Sequence, residues 1–593
     1  MLRRWAIGLA LVLGLSTPTL ALDRYAKTAA SGTGDCLTLP NACTIQTCLA
    51  AMTSGDRCLL DNGVYPWVSL GGSDARCTPG KCTLEAINLH GAEFIDLNPD
   101  GRASVINGGG KDNWVMKGLY IHPLFACPVA AIALDGHGEE IKQVKVEIPP
   151  TCGAVGVYGP WTGAGSGNAS SYLIQDSSFA HYPGCVGAHY RACDSTSQNS
   201  GTNCDANPSI CSAGSASCVF CNGTDQGGSC DMLTSGNDGF ACWSLSRYTT
   251  VTIERSQCKY ARNSNIKNTE TLNFRRNYTL NQCNHGQILS DVDNLTMENN
   301  IYDVSTDVSP HNCLDDWNVG DLMDTYCLRN AVIRNNTLVG HNKAREGFYF
   351  FNNGSAGPSN ECIDVFPPNI GAANLYGNIK IYNNLFVDND PTSPSSAISF
   401  NWLALDGGFG VTNLTTRNNI FVDWHSAPTG SNGVFATSVT DAQTNRDWDG
   451  DGVKEEIGSQ QIDISPTFFF DNYEAHDYNL ADGSPAIAAG VNSGGLVCPA
   501  EDYNGATRIT CDVGALTNSS SNICGDGRVS PGSGEVCDGA NMNGKTCVTY
   551  GFSGGSLLCT NACTVIDTGG CITRIGDKRL RTKTPPGGVI VVP

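Results

Sequence analysis

The sequence predicts an all-β solenoid, strands stacked coil upon coil as a parallel β-helix, and three observations carry that prediction. A ten-residue phrase recurs: "LTMENNIYDV" from Leu295, "AVIRNNTLVG" from Ala331, "IKIYNNLFVD" from Ile379 and "LTTRNNIFVD" from Leu414, with weaker copies from Tyr172, Val251 and Leu272. Apolar residues tend to take its first and third places, as in Leu295 and Met297 or Ile379 and Ile381, the period of a strand with one buried face. Copies starting at 251, 272 and 295 lie 21 and 23 residues apart, about one coil of a β-helix.

Each place in the phrase has its reason. The pairs Asn299-Asn300, Asn335-Asn336, Asn383-Asn384 and Asn418-Asn419 mark the corner of a coil. Asparagine tolerates the left-handed conformation, and its side-chain amide can bond the equivalent amide of a neighbouring turn. An apolar or aromatic residue usually follows two places later: Tyr302, Leu338, Phe386 and Phe421. The wider gaps, 295 to 331 and 331 to 379, hold loops inserted into a coil or an extra coil with a poor phrase. Leucine-rich repeats share this period but need regularly spaced leucines, which are missing.

The chain opens "MLRRWAIGLALVLGLSTPTLALD". Two arginines, a short apolar run and a small-residue site read as a secretory signal peptide, residues 1–21, so the mature protein is expected to be soluble and secreted, extracellular or on the cell surface. No later stretch reaches membrane-spanning length. Twenty-nine cysteines in an exported chain point to disulfides. A net charge of −21 argues against nucleic acid as partner, because the phosphate backbone wants clustered Lys and Arg. It also disfavours a polyanionic sugar, unless calcium or a local basic patch reverses the field.

Residues 22–516 are expected to form the β-helix. Within it, 185–242 holds eight cysteines among Gly, Ser and Asn, an inserted loop stapled by disulfides. "CVFC" at 218–221 lacks the companion pairs of a zinc site. A linker, 517–523, leads to a module at 524–571 with six cysteines. The basic, proline-containing tail, 572–593, is expected to be disordered.

"CTIQTCLAAMTSGDRCLLDNGVYPW", 43–67, reads as a short amphipathic helix and then a first strand, suited to capping an open coil end. This segment resembles the N-terminal cap of right-handed parallel β-helix proteins of the pectate-lyase-like superfamily. "DYNLADGSPAIAAGV", 477–491, and "DYNGATRITCDVGAL", 502–516, resemble the closing segment of secreted bacterial members. The resemblance implies a right-handed parallel β-helix and an extracellular polysaccharide as partner. The 524–571 module resembles the cysteine-rich repeat at the ends of exported proteins of myxobacteria and their relatives, which implies a stability, sorting or cell-envelope attachment role.

The sharpest local motif is "DWDGDGVKEE", 447–456. Asp447, Asp449 and Asp451 followed by Gly452 match the opening of a calcium loop, and Glu455 at the ninth place, or Glu456, can close a looser site. Gly458 stands where an EF-hand needs its bidentate Glu. The expected ion is calcium, in a structural role.

Two columns follow from stacking the coils. The fourth place of the phrase reads Gln175, Glu254, Arg275, Glu298, Arg334, Tyr382, Arg417, an outer-face ion-pair ladder. Five places before each phrase the column reads Ser246, Lys267, Ser290, Tyr326, Asn374, Phe409, a polar and aromatic stripe suited to an extended sugar chain. Lys267 is its one cation, with Tyr326 and Asn374 as substrate-binding candidates. β-Elimination of a uronate needs a base for the proton α to the carboxylate and a cation to neutralise that carboxylate. "NIKN" around Lys267 resembles the lysine strand of alginate- and chondroitin-type lyases of this fold, which implies Lys267 as base and calcium as neutraliser. Those enzymes carry an Arg-His pair one coil later; His285 matches the His, and the Arg has no counterpart.

"SPHNCLDDWNVGDLMDTYC", 309–327, supplies Asp315 and Asp316. Paired aspartates suit an inverting glycosidase or a calcium site. The leading expectation is a calcium-assisted lyase of a uronate-containing polysaccharide. The alternatives are an inverting glycoside hydrolase and a non-catalytic carbohydrate-binding or adhesive surface protein, or a structural exoprotein tethered by its cysteine module.

Overall fold

The computed structural model describes residues 21–70, 77–95, 104–123, 130–134, 136–148, 155–159, 169–181, 241–280, 283–303, 323–339, 346–351, 377–387, 396–401, 413–422, 456–462, 464–518, 536–537, 541–542, 545–552, 554–560, 563–572 and 589–590. They form the expected parallel β-helix. A central coil shows the plan. The strand Arg262–Arg275 covers two faces, turning a corner at Asn268 with φ +50°. A second corner at Arg276 and Asn277 leads into Tyr278–Leu280 on the third face. The next coil repeats this as Cys283–Glu298 and Ile301–Asp303, every pairing parallel. First and second faces run together in a 21-stranded sheet; the third is a 12-stranded sheet from Gly63–Tyr65 to Gln460–Ile462.

Inside, like residues stack on like. Leu272, Leu295, Ala331 and Ile379 form one buried column, and Phe274, Met297, Ile333 and Ile381 another. Phe386 and Phe421 stack with centroids 5.1 Å apart. Gln287 is one of the polar residues in this core, with Ser264, Thr325 and Thr416. Its Oε1 accepts from Trp243 Nε1 at 2.8 Å and its Nε2 donates to the Ser264 carbonyl at 2.8 Å, so a buried amide is satisfied rather than orphaned.

The two asparagines of the phrase divide the corner between them. The first takes the left-handed conformation, with φ +56° at Asn299, +51° at Asn335, +58° at Asn383 and +50° at Asn418. The second points inward and forms a ladder. Asn277 Nδ2 donates to Asn300 Oδ1 (3.1 Å), Asn300 to Asn336 (2.9 Å), Asn336 to Asn384 (2.9 Å) and Asn384 to Asn419 (3.0 Å). Serines extend it at both ends, Ser256 accepting from the Ser177 amide and Ser459 from the Asn419 amide. All five asparagines are buried.

The first asparagines grip the chain's return. After the last coil, residues 464–518 fold back along the third face. Asn418 Nδ2 donates to the Ala489 carbonyl, Asn383 to Val491, Asn335 to Asp512 and Asn299 to Glu501, at 2.7–3.1 Å. This strap buries a second core: Ile301, Val339, Leu385, Val387, Ile420 and Val422 point outward onto Phe469, Phe470, Tyr478, Leu480, Val513 and Leu516. Third-face strands are therefore apolar on both sides, and the unbroken runs "LFV" and "IFV" reflect it. Gly514, at φ +98°, lets the strap lie close; a Cβ there would sit 2.9 Å from Thr337 Oγ1.

The N-terminal cap contains the expected helix, Ile45–Ala51, begun by Thr44. A strand precedes it, however: Asp23–Lys27 pairs with Arg57–Leu60, so the first strand comes before the helix rather than after it. Disulfides Cys36–Cys43 and Cys48–Cys58 tie the cap together. The 517–523 linker begins later than expected, since Thr517 and Asn518 are buried and bonded to Asp502 and Asp512. In the cysteine-rich module, Cys537 pairs with Cys559 and Cys547 with Cys571. Val589–Ile590 pairs with Ile566–Asp567, so two residues of the tail are ordered as a strand. The signal-peptide stretch 1–20 and most of the 185–242 insertion lie outside the described residues; Cys242, its last cysteine, is bonded to Cys258. Among the described residues, no helix is long and apolar enough to cross a membrane.

Candidate functional site

Lys267 ends the first-face part of its strand. Ile266 beside it stacks between Leu245 and Leu289 in the core, so alternation turns Lys267 outward. It pairs with Ser246 on one side and Ser290 on the other, and Ser290 pairs with Tyr326. The column Ser246, Lys267, Ser290, Tyr326 is thus in register as expected. The next coil on this face is Glu346–Phe351, whose Phe350 pairs with Thr325. Asn374 and Phe409 are outside the described residues, and that strand, not Asn374, supplies the coil after Tyr326.

A second outward column stands two residues earlier: Ser244, Asn265, Ile288 and Asp324. Sequence reasoning passed over it, although a fixed offset from the phrase would have found it. The described side chains of both columns are buried despite facing away from the core. Lys267 is 8% exposed, and Ser244, Ser246, Asn265, Ser290 and Asp324 at most 2%. The hydroxyls of Ser244 and Ser290 have no hydrogen-bond partner among the described residues.

The adjoining corner carries charge. Arg247, Asn268 and Asp291 follow Ser246, Lys267 and Ser290, all with φ between +50° and +64°. The Arg247 amide donates to the Lys267 carbonyl at 3.1 Å. Asp291, fully buried, accepts from Arg329 Nη2 at 2.6 Å, and Arg329 Nε donates to Asp293. Burial alone would favour a neutral Arg329, but the two carboxylates outweigh it and hold its pKa above the ordinary value.

His285 has its backbone in Cys283–Glu298, five residues before Ser290, the partner of Lys267, where the pairing with the preceding coil shifts register between Arg262 and Ser264. Its side chain lies outside the described residues. Asp315 and Asp316 lie outside the described residues, as do Asp447, Asp449, Asp451 and Glu455. Among the described residues no group of three or more His, Cys, Asp or Glu side chains offers a metal site. They do not fit calcium by themselves, and no chemical step here runs through it.

The fourth-place column is fully in register from Gln175 to Arg417. Glu298 is shared, its Oε2 2.5 Å from Arg334 Nη2 and its Oε1 3.9 Å from Arg275 Nε. Arg275 is a rung of this ladder, and Arg334 also donates to the Val497 carbonyl of the strap. These arginines hold structure.

No protein-family model matches the chain, and no curated protein matches it. Among solved structures, pectate lyase Pel9A is similar at 12% identity and a TM-score of 0.43, over 84% of this chain and 97% of that one. The likeness is one of fold. A PL6-family polysaccharide lyase from Pseudopedobacter saltans matches at 9% identity and a TM-score of 0.34, over 79% and 96%. A PL6 alginate lyase in complex with a trisaccharide matches at 12% and 0.26, over 67% and 85%. The chain is similar in structure to polysaccharide lyases, at low identity. TM-scores below 0.5 add nothing to the strand register, on which the fold assignment rests.

Proposed function

We propose that this is an exported polysaccharide-active protein that cleaves a uronate-containing polysaccharide by β-elimination, with Lys267 as the base. The supporting observation is the place of Lys267: the one cation in two outward polar columns at the middle of the solenoid, flanked by Ser246 and Ser290. In its neutral form the Lys267 amine takes the proton α to the uronate carboxylate. The electron pair left behind forms the carbon–carbon double bond as the glycosidic carbon–oxygen bond breaks, and the departing oxygen takes up a proton. A cation must neutralise the substrate carboxylate meanwhile. Arg247, at the adjoining corner, is the proposed candidate. The 447–455 loop, with Asp447, Asp449, Asp451 and Glu455, is proposed as a structural calcium site, and the cysteine-rich module as an envelope attachment.

A second reading, a non-catalytic carbohydrate-binding protein, is favoured by burial. Lys267 is only 8% exposed, which leaves its amine little surface to offer a polymer. One screen separates the readings. The protein is incubated with alginate, pectate, chondroitin sulfate and neutral glycans, with calcium and then with chelator, following both ultraviolet absorbance of unsaturated product and reducing ends. Absorbance that rises with a uronate and disappears in Lys267→Ala supports the lyase and its base. Reducing ends without absorbance replace it with a hydrolase and move attention to Asp315 and Asp316. Silence in both channels, with retention on a glycan column, leaves the binding protein.

A further inference from the structure

We propose that the second face, toward the C-terminal end of the solenoid, binds an acidic polysaccharide through a patch of cations centred on Lys380 and Arg417. The fourth-place column runs Arg275, Glu298, Arg334, Tyr382, Arg417 over five coils, and Lys380 stands on the same face two residues before Tyr382. Four cations and one carboxylate give this stretch a charge of +3, in a chain of net charge −21. Glu298 is occupied by Arg334, which donates to it through Nε and Nη2 at 2.8 and 2.5 Å, and lies 3.9 Å from Arg275 Nε. Lys380 and Arg417 are partly exposed, and among the described residues their side chains have no ion pair and no hydrogen bond. Arg417 Nε is buried without an acceptor.

Elsewhere this face balances its charges. Toward the N-terminus Arg57 sits against Asp23, Lys117 against Glu85 and Lys142 against Glu140. Glu254, the rung before Arg275, is bonded to Arg255 and Gln175. Beyond the patch, Glu270 and Asp293 stand near the first corner, three and two coils from Lys380, and Asp293 is bonded to Arg329. Two neighbouring cations without counter-ions therefore fit an anion from outside. The planar fork of Arg417 can take a carboxylate or sulfate in a two-point contact, and Lys380, one coil away, adds a second positive charge. Beside them runs an exposed row of asparagines, Asn294, Asn330, Asn378 and Asn413, joined by side-chain hydrogen bonds of 2.9–3.1 Å. Each amide oxygen keeps a second lone pair for a hydroxyl. Acidic groups and hydroxyls on one polymer describe an acidic polysaccharide. Duplex DNA carries a charge about every 1.7 Å, a density that a few cations on so acidic a chain do not match. The patch lies across the corner at Asn268 from Lys267, and the inference does not rest on the elimination reading.

The test is affinity electrophoresis of the full chain through gels containing polygalacturonate, alginate, chondroitin sulfate or dextran sulfate, with hydroxyethylcellulose and duplex DNA as comparisons. Mobility is read against a polymer-free gel, at low and high salt. Retardation by at least one acidic glycan, absent with hydroxyethylcellulose and abolished at high salt, is expected. The carboxylated and sulfated gels separate the two sources of anion. Lys380→Gln/Arg417→Gln should weaken the retardation about tenfold. Lys380→Glu, at a side chain that no other group holds, gives a second variant should the double one lose stability, and thermal midpoints check both. Lys267→Ala should be retarded like the parent. No retardation by any acidic glycan, retardation by duplex DNA in their place, or folded patch variants that bind like the parent would each overturn the proposal. Retardation lost in Lys267→Ala and kept in the patch variants would overturn it too, by placing the polymer on the first face. The readout needs no catalysis, so a failed elimination screen leaves it standing.

Discussion

Replacing Asn336 by alanine should cost about 3 kcal/mol, far more than a polar-to-alanine change at a solenoid surface. Asn336 is fully buried, at the middle of the interior ladder. Its Oδ1 accepts from both the backbone and side-chain nitrogens of Asn300, at 3.0 and 2.9 Å. Its Nδ2 donates to Asn384 Oδ1 at 2.9 Å and to the Met297 carbonyl at 3.2 Å. Alanine leaves the Asn300 amide hydrogen buried with no acceptor, which costs about 1–3 kcal/mol. Asn384 and Met297 each lose one donor but remain bonded elsewhere, adding about 0.5–1 kcal/mol apiece. Asn336 is not the left-handed residue of its pair, so no backbone term enters. Guanidinium unfolding followed by circular dichroism measures the loss, and hydrogen exchange at the Asn300 amide locates it. Asn294→Ala, in the exposed row, serves as control and should change stability by less than about 0.5 kcal/mol. A loss for Asn336→Ala below about 1 kcal/mol, with Asn300 protection intact, would refute the reasoning.

Lys267→Ala should lower any elimination rate by at least about 100-fold, the scale of a lost general base, with circular dichroism unchanged; a variant as active as the parent removes Lys267 from the mechanism. Arg508, half-buried on the strap itself, donates to Asn299 Oδ1 of the third-face corner and to the strap carbonyls of Asp512, Gly514 and Ala515, and burial pulls its pKa down to about 10. Arg508→Met should free the strap, read as faster proteolysis within 484–517, and unchanged cleavage would contradict that role. Asp56, 1% exposed, would have its pKa raised by burial, but hydrogen bonds from Leu22, Thr53 and Arg24 hold it below the ordinary carboxylate value. Its contribution is therefore present above about pH 4 and lost as pH falls through the lowered value. The N-terminal cap should become protease-sensitive in acid, and Asp56→Asn should remove that pH dependence.

What the sequence determined by itself is the coil. The alternation of Leu295 and Met297, the asparagine corner and the recurring spacing are local signals. They sufficed to put Gln175, Glu254, Arg275, Glu298, Arg334, Tyr382 and Arg417 in one ladder, and Ser246, Lys267, Ser290 and Tyr326 in one column. Strand pairing in a solenoid is between neighbouring coils, so the repeat that defines a coil also defines its contacts. The two asparagines of a pair look alike in sequence, and only the structure separates them. Asn335 reaches the strap carbonyl of Asp512, 177 residues away, while Asn336 bonds within the ladder. The apolar runs Ile420 to Val422 and Leu385 to Val387 hinted at burial on both sides without saying what covers the outer one. The site was less legible still. Outward direction followed from alternation, but the near-complete burial of Lys267, Asn265 and Asp324 did not. Tertiary structure decided these points because burial and the path of a returning strap depend on segments far apart in the chain, which no local period encodes.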